Sequence, residues 1–344
     1  VDIGLSNDEI NDDVELLNDE INDVELPYDD TNDNVSVRQS SRERRPPDRL
    51  GEWVTVASEG ITEPTTVNEA LNGPDADQWH NAMQQEMNSL HKHDVWNLVE
   101  LPDGRKAIGS KWVFRVKYNA DGSVERHKAR FVAQGYSQKY GVDYDETFSP
   151  VVRFESLRTV IGLSVKQGLK LHQMDVTTAF LNGDLDEEVY VRQPEGFIAE
   201  GKEHLVCKLS KSLYGLKQSP RCWNYVLNEH LKSMGFVQTP SDPCIYVSDD
   251  DTNPFVIAVY VDDIVLAGPS DEKIAEVKQS ISERFEIKDM GELKYFLGMQ
   301  VIQEDGKVWI GQSTYAENIL KKFGMENCKS VATPVDPNSK LTQA

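Results

Sequence analysis

In the stretch FVIAVYVDDIVLAG, residues 255–268, two aspartates interrupt an otherwise apolar run. Unpaired carboxylates are costly to bury, so Asp262 and Asp263 need either a turn that exposes them or a cation that holds them. If FVIAVY and IVLAG are the strands of a hairpin, the pair falls at the tight connection, a place Asp favours for conformational reasons alone. The apolar flanks argue further for a hairpin embedded in a core, with its acidic tip facing a cleft. A third carboxylate, Asp175, ends a β-like run in LKLHQMDVTTAFLNGDL, residues 169–185. If that strand lies beside the hairpin, the three carboxylates converge at one sheet end, where repulsion would raise their pKa values unless cations held them together. Mg²⁺ takes oxygen ligands and keeps positions open for water and phosphate oxygens. Two such ions about 3.5–4 Å apart activate an attacking hydroxyl and stabilise the leaving oxygen of an in-line phosphoryl transfer.

The elements that must position this triad are legible from periodicity. Trp79, Met83, Met87 and Leu90 recur at helical spacing, with Asp75 and Asp77 at the N-terminal end, so ordered structure is expected from about residue 75. KWVFRVKYNADGSVERHKARFVAQGY, residues 111–136, reads as a hairpin with Asp-Gly in its loop. Helices are expected over 156–166, 219–234, 271–285 and 314–323. The second has Ser219 able to cap, Pro220 in the first turn and Gly235 past the end. Strands are expected over 169–176, 244–248, 255–261, 263–267 and 295–302. The order of these elements predicts an α+β fold, an antiparallel sheet with helices packed on one face.

Of the 344 residues, 36 are Lys or Arg and 58 Asp or Glu, a formal net charge of −22 that argues at first against a nucleic-acid partner. Residues 1–34, however, carry 13 acidic and no basic side chains. They include the near-repeat NDEINDDVEL and NDEINDVEL, too poor in apolar residues to offset ordering entropy, and are expected to be disordered. RQSSRERRPPDRLGEW, residues 38–53, reads as a basic tether, which makes 1–53 an acidic and then basic linker. The four cysteines and seven histidines form no metal-ligand spacing, and His91 and His93 are expected on a solvated helix end. No run reaches the roughly 18 apolar residues of a membrane span and no signal peptide opens the chain, so a soluble intracellular protein with no membrane partner is expected. The start at Val1 suggests a fragment or a processed product.

QMDVTTAF, LYGLKQSP and YVDD, in that order, resemble the A, B and C motifs of reverse transcriptases. Together with ARFVAQGYSQKYGVDYDETFSPVVRFESLRTV, KLSKSLYGLKQSPRCW and MGELKYFLGMQV, they resemble the copia-type LTR-retrotransposon Pol polyprotein over roughly residues 75–335. The resemblance implies a right-hand polymerase: fingers at about 75–155 and 186–218, a ferredoxin-like palm at about 156–185 and 219–302, and a partial thumb at 303–344. It makes Asp175 and Asp262 the principal ligands of two Mg²⁺ ions (Mn²⁺ as substitute) and Asp263 a less direct third. Phe180 matches the steric gate against a ribose 2′-OH, with a core Phe as the plain alternative. Lys128 and Arg130 match triphosphate-holding cations of the fingers, and Lys288 a lysine that protonates pyrophosphate. Gly215 would let the backbone approach the nucleotide, while Tyr214 departs from the Gln of retroviral enzymes. Tyr260, Val261, Ser219 and Pro220 would lie at the primer and template, and Phe296, Leu297 and Gly298 match the primer grip.

The implied activity is RNA-directed DNA polymerisation on an RNA template with a DNA or RNA primer and dNTPs. Integrase upstream and RNase H downstream would be partner domains outside this chain. SVATPVDPNSKLTQA resembles the connection before RNase H. The implied compartment is the cytoplasm, virus-like particles or the nucleus. Two other classes compete: a decayed copy that binds nucleic acid without catalysis, and a two-metal nuclease using the same triad. Phe180 and the fingers cations favour the polymerase, since a nuclease requires neither a sugar filter nor a triphosphate clamp.

Overall fold

The computed structural model describes residues 62–118, 123–248, 254–304 and 306–330. The expectations for residues 1–53, for the tip of the NADGS connection and for the chain beyond 330 fall outside these. Described structure starts with a helix ahead of Asp75, α1 (Val67–Asn72), set by reciprocal capping: the Thr66 hydroxyl accepts the Glu69 N–H, and the Glu69 carboxylate accepts the Thr65 N–H. Next, α2 (Ala76–Lys92) buries Trp79, Met83, Met87 and Leu90, as the spacing requires. It packs on the hairpin of β2 (Ser110–Tyr118) and β3 (Val124–Ala133), where Trp112 faces Phe131 and Phe114 faces Ala129. The alternate row of that hairpin sets Arg115 opposite Lys128 and Lys117 opposite Arg126. A small sheet of β1 (Trp96–Val99), β6 (Val206–Leu209) and β5 (Tyr190–Val191) completes this part of the molecule.

A six-stranded sheet holds the carboxylates. Its order is β11 (Ile287–Glu292), β4 (Lys170–Val176), β10 (Asp263–Gly268), β9 (Val256–Tyr260), β8 (Ile245–Ser248), β7 (Phe236–Gln238), with every neighbouring pair antiparallel. Two helices fall within this run: α4 (Ser219–Ser233) after β4, and α5 (Asp271–Ser282) between β10 and β11. Side chains alternate between two cores. Met174, Val176, Ile257, Ile264 and Leu266 join Trp223 and Leu227 of α4 and Ile274 and Ile281 of α5. Leu171, Ala258, Val265 and Ala267 join the opposite core.

That opposite core corrects the expectation of helices on one face. Its cover is α3 (Phe154–Gln167), through Leu157, Val160 and Ile161, together with a three-stranded sheet of β12 (Tyr295–Phe296), β13 (Met299–Glu304) and β14 (Lys307–Gly311). Strands apolar on both rows must be covered on both faces. The expected single strand over 295–302 is likewise split, because Leu297 and Gly298 both take positive φ (49° and 74°) in a two-residue turn. Ser219 does not cap α4: its hydroxyl donates to the Leu213 carbonyl at 2.6 Å, and Gln218 precedes the helix without a side-chain cap. Pro220 in the first turn and Gly235 beyond the end stand as expected. The chain then runs into α6 (Ser313–Lys322), which buries none of its residues.

Candidate active site

The register of the central sheet sets Asp263 directly opposite Asp175 on one side and Tyr260 on the other. Asp175 ends the row Leu171–Gln173 on β4, and Asp263 begins the row that continues to Val265 and Ala267 on β10. The carboxylates therefore stand where an apolar face runs out at the sheet end. Asp175 and Asp262 line a cleft of about 370 Å³. The same cleft is lined by β3, from Arg126 to Arg130, by Lys117, by Ala82, Gln85, Glu86 and Ser89 of α2 and by Glu286, with Lys288, the cross-strand partner of Asp175, beside the acids. Carboxylates and a group of cations thus share one cleft.

Asp263 is placed differently from Asp262. It is buried, and the Gln173 amide donates to its Oδ1 at 3.0 Å. Burial raises the Tyr260 phenol pKa, and the charges of Asp263 and Asp262 add to that. The connecting turn carries strain: of its two central residues only Val261 has a positive φ, 55°. This is the pattern of a II′ turn, which favours Gly at that position. A β-branched residue there is an outlier costing about 1–3 kcal/mol. Both turn carbonyls are tied. The Val176 N–H donates to Asp262 O at 3.0 Å, and the Trp223 indole N–H donates to Val261 O at 2.7 Å.

The other sequence-derived residues divide. Lys128 and Arg130 line the cleft, and Arg130 also pairs with Glu86 at 3.6 Å and lies 4.3 Å over the Tyr214 ring. Tyr214 stands edge-on to Phe180 at 5.1 Å. Phe180 is 3% exposed, sits in a 3₁₀ turn (Ala179–Asn182) and is absent from the cleft lining. Gly215 has φ of 85°, and a Cβ there would meet the Ala133 carbonyl oxygen at 2.2 Å. Its missing side chain thus serves close packing on the end of β3. Ser219 is buried away from the cleft, and Phe296 is a core residue beside the Leu297–Gly298 turn.

Sequence reasoning missed three groups that hold the site. Gln173 braces Asp263, and Trp223 braces the turn. His93 is half-buried rather than solvated: its Nδ1 donates to the Ser89 carbonyl at 2.9 Å, which leaves Nε2 to meet the Thr178 hydroxyl at 3.2 Å, on the loop after Asp175. Each bears a polar group whose partner is distant in sequence, so local pattern gives no signal beyond a buried amide, indole or imidazole. The three buried cysteines take no part, since burial pushes the Cys207 and Cys244 thiols up to about 12 and Cys222 to about 11.

Residues 93–337 match the family described as "Reverse transcriptase (RNA-dependent DNA polymerase)". The chain belongs to the reverse transcriptase family. It is 43% identical over 310 residues to the retrovirus-related Pol polyprotein from transposon TNT 1-94 of Nicotiana tabacum, covering 89% of this chain and 23% of that one. It is 40% identical over 290 residues to the Pol polyprotein from transposon RE1 of Arabidopsis thaliana, covering 84% and 19%. The copia-type resemblance read from the motifs therefore holds. The chain spans about a fifth to a quarter of the length of these curated relatives. A solved foamy viral protease–reverse transcriptase in complex with double-stranded DNA aligns over 73% of this chain and 37% of that one, at 14% identity and a TM-score of 0.35, too distant to place individual elements.

Reverse transcriptases are in general metal-dependent, and the donor set of this member can be tested against that. Among the described residues, no three His, Cys, Asp or Glu side chains form a ready-made metal group. Asp175 and Asp262 nevertheless give hard oxygen donors in a cleft with room beside them. Mg²⁺ is commonly held by one or two carboxylates plus substrate phosphates rather than by an all-protein cage. The residues present fit a divalent ion whose remaining positions are filled from outside the protein.

Proposed function

We propose that this chain supplies the fingers, palm and first part of the thumb of an RNA-directed DNA polymerase, a region of a longer retrotransposon Pol polyprotein. The observation that carries the reading is the single cleft lined by Asp175 and Asp262 together with Lys128, Arg130 and Lys288. The six-stranded sheet is read as the palm. Leaving aside the inserted β5–β8, its run β4–α4–β9–β10–α5–β11, with strands in the order β11-β4-β10-β9, supports a ferredoxin-like reading. The β2–β3 hairpin with α2 is read as the fingers, and α6 as the start of the thumb.

In this reading Asp175 and Asp262 hold two Mg²⁺ ions, with Mn²⁺ as substitute. When bound, the metal supplies Lewis-acid stabilisation of the attacking and leaving oxygens. Asp263 and Gln173 hold the strand register behind these ligands. Lys128 and Arg130 neutralise the triphosphate of the incoming dNTP, with Arg130 oriented by Glu86 and Tyr214. Lys288, cross-strand from Asp175, is read as the proton donor to departing pyrophosphate. The Leu297–Gly298 turn contacts the primer end, and the ring of Phe180, on the loop that begins at Asp175, limits the sugar. Template RNA, primer and dNTPs are the proposed partners, with integrase and RNase H in other parts of the polyprotein and cytoplasmic particles as the compartment.

The test is primer extension on an RNA template with Mg²⁺. Asp262→Asn keeps the side-chain shape but removes a ligand charge, so incorporation is expected to fall by orders of magnitude with duplex affinity little changed. Extension by Asp262→Asn at the wild-type rate would overturn the assignment.

A further inference from the structure

We propose that Trp223 is a positioning residue for catalysis: by holding the Val261 carbonyl, it fixes the strained turn that aims Asp262 into the cleft. The inference rests on the polymerase reading and extends it to a residue one layer behind the metal site. Trp223 is 1% exposed and stands edge-on to Phe285 at 5.1 Å, so its ring is locked in the α4–α5 core. From there its indole N–H reaches Val261 O at 2.7 Å. Val261 is the residue whose backbone resists its conformation, with a β-branched side chain at φ of 55°. Left alone, the peptide after Val261 would gain by rotating toward an ordinary turn, and Asp262, next in the chain, would rotate with it. The Asp262 carbonyl is pinned from the other side by the Val176 N–H, one residue after Asp175. Two hydrogen bonds, from α4 and from β4, thus hold the two peptides of the turn, and the second couples it directly to the other ligand strand. Helix α4 also begins at LYGLKQSP, so the helix that leaves one motif carries the brace for another.

The position of the indole nitrogen makes the idea separable from packing. Trp223→Phe keeps an aromatic ring in the core and removes only the donor and part of the ring. 3-Benzothienylalanine installed at position 223 keeps the bicyclic shape and removes the donor alone. The expected result for either is a kcat for single-nucleotide incorporation lower by about 10-fold or more, with duplex affinity near wild type; the melting temperature should stay near wild type in the benzothienylalanine protein and fall modestly in Trp223→Phe, which leaves space in the core. Val261→Gly supplies the rescue. Glycine takes positive φ without strain, so Trp223→Phe/Val261→Gly should recover much of the loss, which a packing defect would not.

Mn²⁺ titration followed by EPR gives a readout independent of turnover, and binding to the Trp223 variants should weaken several-fold. Full kcat in the benzothienylalanine protein would overturn the proposal. So would loss of activity in step with melting temperature and without rescue by Val261→Gly. If the wild-type chain extends no primer, the polymerase reading falls, and Mn²⁺ affinity then decides alone: unchanged in the Trp223 variants, it sinks the positioning role; weakened, it sustains it.

Discussion

Phe180 shows how one ring can answer to two physical demands. It lies on the loop that leaves Asp175, yet it is buried edge-on to Tyr214, which in turn carries the Arg130 guanidinium on its face. If the ring both fills this core and limits the sugar, Phe180→Ala has two separable effects. Removing the ring should cost about 3–5 kcal/mol of stability. It should also raise ribonucleotide over deoxynucleotide incorporation by about 10-fold, equivalent to roughly 1.4 kcal/mol of lost clash. The rNTP/dNTP ratio of kcat/KM, measured beside the melting temperature, reads the two apart, and an unchanged ratio with a large drop in melting temperature would leave Phe180 a packing residue. At this scale the sequence was legible where a residue type alone limits the chemistry. The placement of Asp175, Asp262 and Asp263 was such a case, because carboxylates that interrupt apolar strands have to emerge at a sheet end, where the register brings them together. Gln173, Trp223 and His93 were not legible, because a buried amide, indole or imidazole acquires its role from a partner some 38 to 90 positions away.

Helices and strands were legible in proportion to their length. The four longer predicted helices and the two strands that flank Asp262 and Asp263 lie within a few residues of their expected bounds, since an apolar periodicity over ten residues leaves little choice. The strands β5 and β7, of two and three residues, and the polar β11 had no period to read. The second cover of the central sheet, α3 with β12–β14, was missed although its signal was present: FVIAVY is apolar on both rows, and one layer of helices cannot bury both. How α3 is fastened gives a prediction. Asp242, almost wholly buried, accepts the Arg153 N–H at the head of α3 and the Cys244 N–H at the entry to β8, each at 3.0 Å. Burial by itself would raise its pKa, but the hydrogen bonds from Ser156, Arg153 and Cys244 outweigh it and hold the value below the ordinary carboxylate range. A carboxylate depressed in the folded state stabilises it above its unfolded pKa of about 3.9 and loses that contribution as pH falls through the lower folded value. Asp242→Asn turns an N–H group toward one of the two backbone donors, so at pH 7 it should cost about 1–3 kcal/mol in urea unfolding. Below the unfolded pKa of about 3.9 the gap should begin to narrow, and it should close as pH falls through the lower folded value, where the wild-type carboxyl gains a proton and comes to resemble the amide. A gap unchanged at pH 3 would assign the effect to shape rather than charge.

For the whole molecule, charge is the property that composition misrepresents most. A net −22 says that a polyanion should be repelled, yet 13 of the acidic side chains sit within residues 1–34, and the cleft wall carries Lys117, Arg126, Lys128 and Arg130. Position also sorts the cations. Lys208 and Lys211 form ion pairs with Glu188 and Asp184 at 2.6 Å. These two sit outside the cleft, and Lys128 lines the cleft that the proposed duplex and nucleotide would enter. Binding of a primer–template duplex by counterion release should weaken linearly in log affinity against log salt, with a slope set by the number of phosphates neutralised. Lys128→Ala should reduce that slope by about one, and Lys208→Ala should leave it unchanged. Deleting residues 1–34 should leave affinity equal or higher at low salt, because a polyanionic segment competes with nucleic acid for the same cations. The difference between full and shortened chains should shrink as salt screens both, with a Debye length near 10 Å at about 0.1 M falling to about 3 Å at 1 M. Fluorescence anisotropy of a labelled duplex across that range measures all three slopes. A marked loss of affinity on the deletion would show that the acidic segment contributes to binding directly, and equal slopes for Lys128→Ala and Lys208→Ala would show that the cleft is not where the duplex is held.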